Sequence, residues 1–163
     1  MKLLKILPLL LLPLFTQAQS KVMRNLSEQY PDAFVLMFYH SSLNMLNIDD
    51  DPTFSRMIRD LEKIKLLRIN KDADSFTKEN LNELKEELND RDYEKLMVAK
   101  SKEFDITVYI LEDPPGGGQA SDIEGFFLFM DEESEFYAID VVGSMNVSDI
   151  GLLVDRIKEV KGF

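Results

Sequence analysis

The sequence of 163 residues contains no cysteine and no tryptophan, and its only histidine is His40. Without cysteine, the chain can form no disulfide, no thiolate zinc site and no catalytic thiol. A serine nucleophile would have to use His40 as its base, and no G-x-S-x-G turn is present to carry such a serine. We therefore expect no catalytic residue, no bound metal and no cofactor, and packing alone must hold the fold together.

Basic residues are also scarce, because 19 Lys and Arg face 30 Asp and Glu, which gives a formal net charge of −11. Binding to nucleic acid draws its affinity from clustered cations that displace counterions from phosphates. Here the cations are outnumbered by acids and interleaved with them. The composition therefore argues against nucleic acid and against an anionic membrane surface as partners. The high net charge is also expected to favour solubility.

The first 18 residues have the pattern of a secretory signal. Lys2 and Lys5 precede a leucine-rich run, Ile6–Phe15, and small residues then lead to Ala18. This order predicts export and cleavage after Ala18. The apolar run is about half as long as a membrane span, so we expect no transmembrane segment after cleavage. Lipidation through a thioether is excluded by the lack of cysteine, and the mature protein is expected in the periplasm or outside the cell.

Residues 19–163 are predicted to form one α+β domain. Alternating or continuous apolar runs of strand length predict six strands, and helical spacing after Asp51, Thr77 and Asn146 predicts three capped helices beyond a short first one near residues 22–30. The predicted strands are Ala33–His40, Lys63–Ile69, Tyr93–Ala99, Phe104–Leu111, Ile123–Met130 and Glu135–Gly143. A glycine-rich hairpin loop is predicted at 114–121. The order suggests a two-layer sandwich, with a mainly antiparallel sheet and helices packed on one face.

Three stretches of this sequence resemble a known family. They are LMVAKSKEFDITVYILED at 96–113, IEGFFLFMD at 123–131 and AIDVVGSMNVSDIGLLVDRI at 138–157. Together with the leader, they are similar to the secreted bacterial domain-of-unknown-function 4252 family. The resemblance implies a protein of the Gram-negative envelope without an assigned activity, and it supplies no functional residues. Many members carry a lipidated cysteine, which this chain lacks.

Two acidic patterns offer alternative functions. Asn70, Asp72 and Asp74 resemble the start of a calcium-binding loop, but Ser75 replaces the required glycine and Leu81 replaces the bidentate glutamate. A polar turn between a strand and a helix is the simpler interpretation, and a weak calcium-binding module is the alternative. Among so many acids, two could also flank a cleft and hydrolyse envelope glycans, although a glycan cleft commonly displays tryptophan.

One sheet face is the predicted interaction surface. If the even-numbered residues of the strand at 104–111 face the helices, then Thr107 and Tyr109 point away from them. Phe136 and Ala138 on the last strand are assigned to that same uncovered face. Exposed aromatic residues are typical of protein interfaces, whereas the competing interpretation is a second core. The sequence thus predicts a non-enzymatic protein-interaction module with an unknown envelope partner, and it leaves the oligomeric state open.

Overall fold

A computed structural model describes residues 21–90, 93–102, 104–111 and 122–159. The predicted leader and the predicted hairpin loop at 114–121 lie outside these ranges. The helices are α1 (Lys21–Gln29), α2 (Pro52–Met57), α3 (Lys78–Asn89) and α4 (Ile150–Glu159). The strands are β1 (Phe34–Tyr39), β2 (Leu61–Asn70), β3 (Tyr93–Lys100), β4 (Phe104–Leu111), β5 (Asp122–Glu132) and β6 (Glu135–Asn146). Single 3₁₀ segments follow β1, follow α2 and precede α4. The α+β class and the order of the elements are confirmed.

Local capping explains where the helices begin. The side chain of Asp51 accepts a hydrogen bond from the Thr53 backbone N–H at 2.8 Å, and Pro52 is the first residue of α2. Thr77 caps α3 by accepting from the Asn80 backbone N–H. Asn146 caps the 3₁₀ turn that leads into α4. All three predicted caps are confirmed.

The six strands form one antiparallel sheet with the order β1-β2-β6-β5-β4-β3. The last strand of the chain therefore lies between the second and the fifth. This arrangement leaves β1 and β3 at the two edges. None of the helices in the described ranges is long and apolar enough to cross a membrane.

Helices cover both faces of the sheet, so the prediction of helices on one face is wrong. The front face packs against α2, α4 and the 3₁₀ segments, and the back face packs against α1 and α3. The physical reason is visible in Phe126–Phe129, four consecutive apolar residues that are all buried. Alternate residues of a strand point to opposite faces, and a continuous apolar run therefore requires a cover on each side. The buried front-face strand residues include Ile64, Leu66, Val108, Phe126, Leu128, Ile139 and Val141; those of the back face include Leu67, Ile69, Tyr109, Phe127, Phe129, Phe136 and Ala138.

Candidate interaction groove

The predicted interaction face is buried. Tyr109, Phe136 and Ala138 are fully inaccessible and Thr107 is nearly so, because α1 and α3 lie over them. Phe136 stacks on Phe76 with ring centroids 4.4 Å apart. The structure thus brings the four residues onto one face, as predicted, but that face is a second core. The prediction of an open aromatic surface at these positions is wrong.

The back face also buries two charged residues that the sequence did not single out as a pair. Lys65 on β2 lies directly opposite Asp140 on β6, and both side chains are almost completely covered. Burial lowers the pKa of Lys65, and the neighbouring Asp140 carboxylate opposes that shift by favouring the ammonium form. Opposite charges in this position fit the rule that buried ions require a partner.

The calcium-like residues close a turn between β2 and α3. The Asn70 side-chain oxygen accepts a hydrogen bond from the Ala73 N–H, and the Asp74 carboxylate accepts one from the Asn70 N–H, each at 3.0 Å. Ser75 takes a left-handed backbone conformation with φ of 55°. Within the described ranges, no group of three or more His, Asp or Glu side chains is arranged to hold a metal ion. These oxygens are therefore engaged in shaping the turn.

The other chemistry-bearing residues are dispersed. The Nδ1 of His40 lies 2.9 Å from the carbonyl oxygen of Leu61, to which it donates a hydrogen bond. Glu86 and Glu87 lie with Glu83 and Asp90 along one side of α3, and this group faces outward on a single helix. A glycan hydrolase requires two carboxylates across a cleft that admits the sugar. The α3 acids lie side by side on one helix and do not face each other across a cleft.

An apolar depression of about 500 Å³ lies on the front face between α4 and edge strand β3. We refer to it as the α4–β3 groove. Its apolar lining comes from β3, β4, β5, α4 and the 3₁₀ turn before α4, and the residues are Leu96, Met97, Ile106, Val108, Leu128, Val147, Ile150 and Val154. Val108 on the floor is buried, whereas Met97 on the outer wall is 47% exposed. Asp155 is a charged member of the lining.

The groove follows from the width of the sheet. Neighbouring strands are about 4.8 Å apart and packed helices about 8–10 Å apart, so one helix covers roughly two strands. On the front face, the 3₁₀ segment after β1 contacts β1 and β2, and Val154 and Ile157 of α4 line a cavity together with Leu128 of β5 and Ile139 of β6. In the part of the chain that the structure describes, this arrangement leaves the outer side of β3 and β4 incompletely covered. Leu96 and Met97 are exposed there.

A smaller cavity of about 290 Å³ lies under the other side of α4 and shares Ile106, Leu128 and Val154 with the groove. Tyr137 and Glu132 lie in its wall. The Tyr137 hydroxyl donates a hydrogen bond to Glu135, and burial together with this carboxylate raises the pKa of Tyr137 to about 12. The apolar space on the front face therefore extends beneath α4.

Sequence reasoning missed the groove because its signal is ambiguous. Leu96, Met97 and Val98 have the composition of a buried strand. The sequence alone cannot distinguish such a strand from one whose apolar residues are exposed. Only the strand order, with β3 at an edge, separates the two interpretations. Ile150 and Val154, which line the groove from α4, are four residues apart and therefore lie on one side of that helix.

Comparison with known proteins gives a family for this fold. A family model described as Domain of unknown function (DUF4252) matches residues 33–153, which run from just before β1 into α4. No curated protein and no solved structure matches the chain significantly. The match covers most of the chain and confirms the resemblance carried by the strand and α4 sequences. The chain belongs to the DUF4252 family.

Proposed function

We propose that this protein is a non-enzymatic interaction module of the bacterial envelope, which binds an apolar helical segment of a partner protein in the α4–β3 groove. The observation that carries the proposal is the exposure of two consecutive apolar residues of β3, Leu96 and Met97, beside an apolar floor. Contiguous exposed apolar surface of this kind is typical of interaction sites. A partner helix beside α4 would complete the cover of the front face.

The shape and charge of the groove define the partner further. Gly151 lies in its wall, and a Cβ atom built on Gly151 meets nothing within 4 Å, so another helix can approach α4 closely there. Asp155 lies in the same wall, and Glu94 shares the front face of β3 with Met97. The matching ligand is an amphipathic helix with an apolar stripe and basic flanking residues, which is a known mode of recognition.

Replacing Met97 by glutamate is expected to weaken capture of the partner at least about thirtyfold, because a charge would then be buried against the apolar stripe; this corresponds to about 2 kcal/mol. Leu152→Glu is the matched control, because Leu152 is an exposed apolar residue of α4 outside the groove lining. The measurement is quantitative capture from an envelope extract, after melting curves show that both variants fold.

A photo-cross-linking residue at position 97 should join the same partner that wild type captures, whereas one at position 152 should not. Equal capture by both glutamate variants, or cross-linking from position 152 alone, would place the interface elsewhere. Loss of a hydrolytic activity on envelope glycans in the Met97 variant would instead support the enzymatic alternative.

Export is a separate part of the proposal and rests on the leader sequence. The charged start, the short apolar run and the small residues before Gln19 predict that the mature chain begins there. The intact mass of the protein recovered from the envelope fraction should equal that of residues 19–163. A mass that retains residues 1–18, or recovery in the cytoplasm alone, would contradict the localisation.

A further inference from the structure

The cavity beneath α4 is apolar except at one end. Of the ten residues in its lining, only Glu132 and Tyr137 carry polar side-chain atoms. Phe104 and Met130 are half-buried, as is Glu132, so the accessible end of the cavity lies beside them. The volume of about 290 Å³ is close to the lower end of the roughly 300–1,000 Å³ that small-molecule sites occupy. The buried part of the lining comprises Leu66, Leu128, Tyr137, Ile139, Val154 and Ile157.

Glu132 brings an uncompensated negative charge to this cavity. The acids on either side of it are paired, because Asp131 forms an ion pair with Lys71 and Glu135 forms one with Arg68. Lys71 also donates a hydrogen bond to the backbone carbonyl oxygen of Glu132. Within the described ranges, no ion pair or hydrogen bond reaches the carboxylate of Glu132 itself. A half-buried carboxylate beside an apolar space gains from a cation that can reach it.

The Tyr137 hydroxyl supplies a second acceptor at the same end of the cavity. It donates its proton to Glu135, so the lone pairs of its oxygen remain available to a donor. Burial, the bonded Glu135 and the nearby Glu132 raise the pKa of Tyr137 to about 12, and the hydroxyl is therefore neutral at physiological pH. A cationic donor at this point would meet the Glu132 carboxylate and the Tyr137 hydroxyl oxygen together.

We propose that the cavity beneath α4 binds a small alkyl amine, whose apolar chain fills the cavity and whose ammonium group binds the Glu132 carboxylate. Charge complementarity selects this class of ligand. A carboxylate or phosphate at the same place would be repelled by Glu132 and Glu135, and a neutral ligand would cover Glu132 without giving it a partner. The net charge of −11 also attracts cations to the chain as a whole.

The place of the cavity separates this ligand from the proposed partner helix. The cavity lies between α4 and the sheet and shares Ile106, Leu128 and Val154 with the α4–β3 groove. A helix with its side chains is about 10–12 Å wide and cannot enter a space of about 290 Å³, whereas a flexible alkyl chain can. The amine site therefore does not rest on the proposed interaction with a helix.

Titration calorimetry with three ligands of equal chain length tests the head group. Octylamine, octan-1-ol and octanoate are added to the wild-type protein at neutral pH, where the amine is an ammonium ion. Octylamine should bind at least about tenfold more tightly than octan-1-ol, because it adds a charge-assisted hydrogen bond to Glu132. Octanoate should bind most weakly of the three.

A pair of variants tests the position of the ammonium group. Glu132→Gln should weaken the binding of octylamine at least about tenfold and leave the binding of octan-1-ol unchanged. Glu133→Gln is the matched control, because it removes the same charge from an exposed neighbour outside the cavity lining. Asp155→Asn removes the acid of the α4–β3 groove and should leave the binding of octylamine unchanged.

Three results would overturn the proposal. They are the absence of octylamine binding to the wild-type protein, an equal loss in Glu132→Gln and Glu133→Gln, and a loss in Asp155→Asn alone, which would place the amine in the groove. Met97→Glu should bind octylamine as the wild type does, and Glu132→Gln should capture a protein partner as the wild type does. Failure of the amine site and failure of the helix-binding groove are therefore distinguishable.

Discussion

Replacing Gly143 by alanine is expected to lower the free energy of unfolding by about 3 kcal/mol or more. Gly143 has φ of +119°, a conformation that residues with a Cβ atom rarely adopt. A Cβ atom there would lie 2.5 Å from the Asp60 carbonyl oxygen and 2.6 Å from the Leu61 Cα. Backbone strain and overpacking each cost about 1–3 kcal/mol, and at this position both apply.

The surroundings of Gly143 explain why neither the backbone strain nor the overpacking of an alanine can be relieved. β2 and β6 shift register next to the pair formed by Leu61 and Gly143, and β5 and β6 shift register between Ile123 and Gly125. The clashing atoms belong to the backbone at the start of β2, where the chain leaves the 3₁₀ turn Ile58–Asp60. Moving that backbone would break pairing in the central part of the sheet, so the alanine variant must distort two strands at once.

Gly151→Ala is the matched control for this prediction. A Cβ atom on Gly151 meets nothing within 4 Å, and the residue lies in α4, where alanine is the better helix former. The control should therefore raise the free energy of unfolding by up to about 1 kcal/mol. Denaturant unfolding of both variants measures the contrast. Equal stability of the two would show that the bulge at Gly143 can relax and would contradict the argument.

The predicted elements came from local signals that do not depend on the rest of the fold. Thr77 caps α3 because its side chain lies three residues from the Asn80 N–H, and Phe76 and Leu81 join the same buried cluster. Contacts within a few residues can be predicted from the order of residue types alone. The same applies to Asp51 and the proline that follows it.

The layer arrangement was mispredicted because it depends on contacts between distant segments. β6 separates β2 from β5, and this insertion places Ala138 between Leu67 and Phe129 on the back face. The local sequence of these strands does not predict which strands will be their neighbours in the sheet. The consecutive buried residues Phe126–Phe129 require a cover on both faces, whereas helices on one face were predicted from the order of the elements. In the folded sheet, helices pack on both faces, so the one-sided prediction fails.

Both edge surfaces were likewise beyond prediction from the sequence. Phe34–Tyr39 and Leu96–Val98 have the composition of buried strands, but Phe34, Val35, Tyr39 and all of Leu96–Val98 are exposed because β1 and β3 lie at the ends of the strand order. A strand sequence gives its period and its apolar content, whereas its position in the sheet is set by every other strand. The candidate groove could therefore be found only after the fold was known.

Tyr109 provides the test of the second core. Its ring is completely buried, lies 5.6 Å from the ring of Phe129, and has the Lys95 ammonium 5.7 Å from its centroid. Tyr109→Ala is expected to destabilise the protein by about 3–5 kcal/mol, the usual cost of removing a buried aromatic ring. For an exposed interface anchor, the same change would leave the free energy of unfolding almost unaffected and reduce only partner binding.

Tyr109→Phe separates the role of the ring from that of the hydroxyl. Within the described part of the chain, the hydroxyl is buried without a hydrogen-bond partner, and burial raises the pKa of Tyr109 because the phenolate is even less tolerated there. Removing an unsatisfied buried hydroxyl removes its desolvation cost, so Tyr109→Phe should be neutral or should stabilise the fold by about 1 kcal/mol. Denaturant unfolding at neutral pH measures both variants. A loss of more than about 1 kcal/mol in Tyr109→Phe would mean that the hydroxyl is satisfied, and a harmless Tyr109→Ala would mean that the back face is no core.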